Sequence, residues 1–223
     1  YNVSWWDALH YTNELSTQQG LETCYDLKGC SGTPGSDYKC DSVDFKGLDC
    51  KGWRLPTESE WEYVTRAGTQ TATFNGDLTN ATTDAAVAEI GWYQGNADGK
   101  PHVHVQKKKN DWGLADTSGN VAEWVWDYYG SYPNGKQTDP TGPQSGSERV
   151  VRGGHWDSPA GACRSAIPPT STSTRRTWRA PSAATGPPAA ETIAAWRPAR
   201  RSFPSAMRRT TRAPCFCSTP ATS

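Results

Sequence analysis

The alternation of apolar and polar positions places two helices. After Ser4, the residues Trp5, Ala8, Leu9 and Thr12 fall on one face at helical spacing, and Ser4 with Asp7 three residues on has the form of a capping box. The spacing predicts an amphipathic helix that ends near Gln19-Gly20. Thr57-Glu58-Ser59-Glu60 is a second and cleaner box. It opens a helix that turns Trp61, Val64 and Thr65 inward, sets Glu58, Glu60 and Glu62 near the positive end of the dipole, and stops at Gly68. Short strands are expected at 102–106 and 149–152, between long loops rich in Gly, Asn and Asp. The pattern describes an α+β chain with much irregular structure.

Composition divides this chain in two. Nine of the eleven Trp lie between residues 1 and 166, the mark of an aromatic core among many loops. From 168 to 223, Ala, Pro, Arg, Ser and Thr supply 46 of 56 residues, too little apolar surface to offset the entropy of ordering. The formal net charge of zero, 23 basic against 23 acidic residues, hides the same division. The last 56 residues hold nine Arg and one acid, Glu191, so −8 is followed by +8. Two regions follow: a domain over 1–167 and a tail over 168–223, expected to be disordered or poorly packed. An acidic domain argues against a nucleic-acid binder, which would carry a basic patch. No apolar run approaches the roughly 18 residues needed to cross a bilayer. The chain opens on Tyr, from which we expect it to continue upstream.

Four of the seven cysteines, Cys24, Cys30, Cys40 and Cys50, crowd one turn-rich stretch between the two helices. Their spacings lack the paired Cys-x-x-Cys of a zinc knuckle, so two disulfides are expected. Sequence does not choose among the three pairings. The local one, Cys24 with Cys30 and Cys40 with Cys50, is the expectation tested below. Disulfides persist in oxidising compartments, which predicts an extracytoplasmic protein.

Four collinear segments resemble one family: NVSWWDALHYTNELS, GWRLPTESEWEYVTRAGT, NDWGLADTSGNVAEWVWDYYG, and ERVVRGGHW followed by CRSA. Together they are similar to the formylglycine-generating enzymes, the sulfatase-modifying-factor domains. The resemblance implies a C-type-lectin-like fold with bound calcium. Its members include a copper-dependent oxidase that turns a sulfatase cysteine into formylglycine, sulfoxide synthases, and domains without an assigned role. Family membership alone does not fix the function.

Within WGLADTSGNVAEW, Asp116 and Glu123 supply carboxylates and the Gly-Asn turn can aim carbonyls inward, a set suited to a hard cation. The resemblance places calcium ligands at Asp116 and Glu123 through side chains and at Gly119 and Val121 through carbonyls. No second calcium position is evident around 90–96. The oxidase holds Cu(I) with two thiolates after a Gly-Gly-Ser-Tyr segment. Here that segment reads Gly153-Gly154-His155-Trp156; Cys163 falls on or beside the second thiolate and Ser158 where the first belongs. Cys163 and His155 are the candidate catalytic residues, and a Cys163–His155 pair is the remaining route to copper. A lone cysteine is more often a small buried residue.

His102 and His104 would face one side of a strand, but with no third ligand they read as a solvated face, and Lys107-Lys108-Lys109 as a solvated turn. Two sequons occur, a structural one at Asn2 and one in a polar loop at Asn80. The Lys-free composition after Ala166 is what a frame slip in a GC-rich gene yields, and the family's closing Gly-Phe-Arg strand is not found there. The alternative is a basic tail gripping an acidic partner. The expectation is therefore a ligand-binding or accessory module whose partner is an unidentified ligand or protein. The alternative is the oxidase, whose partner is a sulfatase-type peptide. A sulfoxide synthase would need an iron-binding region rich in His and Glu, which these residues lack.

Overall fold

The computed structural model describes residues 3–166 and, as backbone, 170–173. Helix α1 (Trp5–Gln18) begins as expected. Ser4 Oγ accepts from Asp7 N while the Asp7 carboxylate accepts from Ser4 N, so two orphan amides at the helix start are satisfied by a four-residue motif. Its buried face holds Trp5, Ala8, Leu9, Thr12 and Ser16. Helix α2 (Glu58–Arg66) carries the same box between Thr57 and Glu60, and Ala67 ends it in the left-handed region at φ 46°. A third helix, α3 (Ala85–Ile90), is capped by the Asp84 side chain and is too short to leave a periodic signal.

Between α1 and α2 the chain forms nested hairpins. Strand β1 (Tyr25–Lys28) pairs antiparallel with β4 (Ser42–Phe45), Tyr25 opposite Phe45 and Lys28 opposite Ser42. Inside them β2 (Ser31–Thr33) pairs with β3 (Ser36–Lys39). That register decides the disulfides, which are Cys24–Cys50 and Cys30–Cys40, not the expected local pairs. An antiparallel ladder brings the start of one strand to the end of the other. Cys24, just before β1, therefore meets Cys50, beyond β4, and Cys30 meets Cys40 one layer further in.

A third sheet has the order β5 (Glu123–Tyr128), β6 (Glu148–Arg152), β7 (Thr170–Ser173), all antiparallel. Strand β6 matches the expectation at 149–152. Strand β7, paired from Val151↔Thr170 to Glu148↔Ser173, lies where the tail was expected to contribute no strand. Residues 1–2, 167–169 and 174–223 lie outside the described residues, and with them the Asn2 sequon and the remaining expectations about the tail. The segment 102–106 is not a strand; it crosses the surface as an irregular strap.

The main core sits where α1 meets the β1–β4 pair and the β5–β6–β7 sheet, with Trp5, Leu9, Tyr25, Leu55, Trp124 and Val151 buried around the Cys24–Cys50 disulfide. Each such large side chain contributes roughly 1.5–3 kcal/mol on burial. Polar tips are satisfied across the core: Trp5 Nε1 donates to Val125 O at 3.0 Å and Trp124 Nε1 to Val3 O at 3.1 Å. Tyr25 stacks on Trp126 with centroids 5.4 Å apart. This mixed architecture is α+β, and no described helix is long and apolar enough to cross a membrane.

Candidate functional site

The segment leading into β5 is folded by turn residues that tolerate the left-handed region: Asp116 at φ 59°, Gly119 at 76° and Asn120 at 59°. Gly119 is required for space as well, since a Cβ there would lie 2.1 Å from Trp92 O. Asn120 locks the segment. Its amide donates to Trp92 O at 2.6 Å, and its side chain accepts from His102 N and donates to His102 O.

This scaffold presents Asp116 and Glu123 to one another. Both are buried, at 7% and 8% exposure. Glu123 accepts from Trp61 Nε1, yet its carboxyl is pushed up to about 7, first by burial and then by the charge of Asp116. Asp116 Oδ2 accepts from Val105 N at 2.6 Å, whereas Asp116 Oδ1 is buried without a partner. Among the described residues no hydrogen bond ends on the carbonyl of Gly119 or Val121. Two buried carboxylates, one with an orphan oxygen, beside two unengaged carbonyls fit a hard cation held by oxygen. No cluster of three or more His, Cys, Asp or Glu suited to a metal occurs among the described residues, so carbonyls would have to complete the shell. Around 90–96, Asn96 spends its side chain on Tyr93 N, Ala88 O and Gly91 O.

The strap over this segment carries one unusual conformation. Val105 has φ 59°, a region that costs a β-branched residue on the order of 1–3 kcal/mol. Its N–H bond to the Asp116 carboxylate is worth about 1.5–3 kcal/mol, enough to offset that strain and little more. His102 is not half of a metal pair. Its ring stacks on Trp92 at 3.8 Å and its Nε2 lies 2.9 Å from Ala97 O. Lys107 is not simply solvated either: Nζ donates to Ala88 O and lies 3.8 Å from the Trp92 ring centre. Asn80 is exposed, its Oδ1 accepting from Thr82 N and Thr83 N.

Cys163 ends a 3₁₀ turn (Ala160–Cys163) in a separate cluster with Val87, Tyr93 and Ala160. It is fully buried, and burial pushes its thiol up to about 12, so it is a neutral thiol at physiological pH. Gly154 leaves room for it, since a Cβ on Gly154 would lie 2.9 Å from Cys163 Sγ. Ser158 Oγ, where the first thiolate belongs, accepts instead from His155 N at 3.0 Å. His155 Nδ1 accepts from Asp157 N, and burial lowers its pKa to about 4. One thiol, with a hydroxyl at Ser158 and the His155 Nδ1 lone pair already engaged, does not make the two-thiolate set that the resemblance implies for Cu(I).

Sequence reasoning passed over Arg149 and Arg152. Arg149 is buried with its guanidinium 3.8 Å from the Trp5 ring centre and 3.4 Å from that of Tyr128, and it donates to Trp126 O. Arg152 joins Glu58 and Glu62, each at 3.4 Å, to Ser165 O. Both arginines were visible in ERVVRGGHW, but nothing in the sequence marks their burial.

The family model described as Sulfatase-modifying factor enzyme 1-like domain matches residues 1–182. The chain is 28% identical to the Chaperone protein LppX of Paenibacillus barcinonensis, over 69% of this chain and 57% of that protein. It is 34% identical to the Formylglycine-generating enzyme of Streptomyces coelicolor, over 47% of this chain and 36% of the enzyme. It thus spans little more than half of the first relative and about a third of the second. Among solved structures, Treponema denticola variable protein 1 superposes with TM-score 0.63 at 33% identity, covering 78% of this chain and 65% of that one. PvdO from Pseudomonas aeruginosa, at TM-score 0.57 and 21% identity over 79% of this chain and 57% of its own, shares the fold. A model matched over most of the sequence, on a fold that solved members share, means that the chain belongs to the sulfatase-modifying-factor family.

Proposed function

We propose that this chain is an extracytoplasmic, calcium-binding member of its family that acts as a ligand-binding or accessory module and not as a copper oxidase. The observation that carries the reading is the setting of Cys163: a single buried thiol packed against Gly154, with Ser158 where its partner thiolate would stand. Two disulfides support export. The similarity to a protein named as a chaperone is compatible with an accessory role. The orphan Asp116 Oδ1 beside Glu123 supports calcium, with the Gly119 and Val121 carbonyls as further ligands.

The deciding experiment offers the purified protein Cu(I), oxygen and a Cys-x-Pro-x-Arg peptide. No aldehyde should form above the rate without protein. Formylglycine in the peptide would overturn the reading and restore the oxidase with its sulfatase-type partner.

A further inference from the structure

The strap over residues 102–108 is pinned firmly at its ends. His102 is held by both side-chain atoms of Asn120 and by Trp92; Lys107 is held by Ala88 O, and Lys108 N donates to Glu89 O. Its middle is different. Val103 and Val105 stand 64% and 48% exposed, unusual for valines, and Val105 is strained in the left-handed region. The bond that holds this strained residue comes from Asp116, a residue more than nine-tenths buried whose other oxygen has no partner. One carboxylate therefore serves two sides: Oδ2 fixes the strap, and Oδ1 faces the candidate cation site.

We infer that calcium at Asp116 and Glu123 acts as a latch for this strap, so that the exposed Val103–Val105 tip keeps its shape only when the cation is bound. This inference rests on the calcium reading above. Without a cation, Asp116 Oδ1 stays buried with no partner, and the carboxylate gains by turning toward water. The strained Val105 then relaxes to negative φ and the strap opens locally, because strain and hydrogen bond are nearly matched. With calcium on Oδ1, the carboxylate is fixed and Oδ2 remains aimed at Val105 N. The tip is thus a cation-dependent surface, stiffened by a ligand that it does not itself touch.

Lys107, Lys108 and Lys109 make the strap a tryptic reporter. The full chain, oxidised, is digested with limiting trypsin in EGTA or in calcium, and the fragment ending at these lysines is followed by mass spectrometry, with cleavage after Lys51 as internal control. Calcium should slow cleavage at 107–109 at least tenfold and leave the control within twofold. Glu123→Gln, which keeps an acceptor for Trp61, should cleave like the EGTA wild type whether or not calcium is added. Asp116→Ala should cleave faster than either, because it loses the cation and the Val105 bond together. Thermal unfolding in the same two buffers separates the two readings. A calcium-dependent rise in melting temperature without protection of the strap would overturn the latch and leave the cation site standing. No rise and no protection would overturn both.

Discussion

Single residues in this protein hold positions that ordinary composition would not suggest. Arg149 is the clearest case. With its guanidinium between the rings of Trp5 and Tyr128 and a bond to Trp126 O, it joins α1 to the β5–β6 sheet through cation–π contacts in place of a carboxylate. Burial lowers its pKa to about 10, still well above neutrality, so it remains charged. Arg149→Ala should cost about 2–4 kcal/mol in urea unfolding, from lost ring contacts and an unpartnered Trp126 carbonyl. Arg149→Lys should recover only part of it, since an ammonium cannot stack between two rings. His155 gives a pH signature. Its folded pKa of about 4 lies below the ordinary 6.5, so its contribution is fully present above pH 6.5 and disappears as pH falls through 4. His155→Gln should remove that slope, flattening acid unfolding between pH 6.5 and 4 by about 1 kcal/mol once solvent access to the ring is discounted.

At the scale of elements, legibility followed the range of the interaction. Both long helices could be read because a capping box is written within four residues, Ser4 to Asp7 and Thr57 to Glu60, and their inward faces repeat at helical spacing. The disulfide pairing could not, because it depends on the β1–β4 register, which brings together residues 26 apart. The segment 102–106 alternates like a strand, but no neighbouring strand offers it a ladder; Asn120, Asp116 and Trp92 capture it instead. The carboxylates of the candidate cation site were legible from WGLADTSGNVAEW, while the role of Val105 was not, since a left-handed valine leaves no trace in sequence. The nested hairpins carry their own test. Replacing both Cys24 and Cys50 by Ser should cost about 3–4 kcal/mol, and more than the same change at Cys30 and Cys40, whose loop spans 10 residues against 26. Paired denaturant titrations of the two double variants measure the difference.

Across the whole molecule, ionisable groups were drawn inside by the scarcity of regular structure, and their pKa values pull stability in opposite directions with pH. Asp127 accepts from Glu58 N at the start of α2 and so serves as an extra cap, but it is buried near Glu58 and Glu60 and its carboxyl is pushed up to about 7. Glu58 is raised as well, chiefly by burial, against the pull of Arg152. A raised carboxyl binds a proton more readily in the folded state. Its contribution is fully present below the ordinary value near 4 and is lost as pH rises through about 7. Between pH 5.5 and 7.5 this term and that of His155 therefore oppose one another, and Asp127, the more deeply buried, is the larger. For EGTA-treated protein we expect the wild type to gain stability on going from pH 7.5 to 5.5. Asp127→Asn keeps an oxygen for Glu58 N but cannot ionise, so it should gain less over the same interval, by about 1–2 kcal/mol. Urea titrations at the two pH values measure this directly. Equal gains in wild type and variant would mean that Asp127 is solvated and ionised at neutral pH, and that the start of α2 is held by a charge and not by a neutral acid.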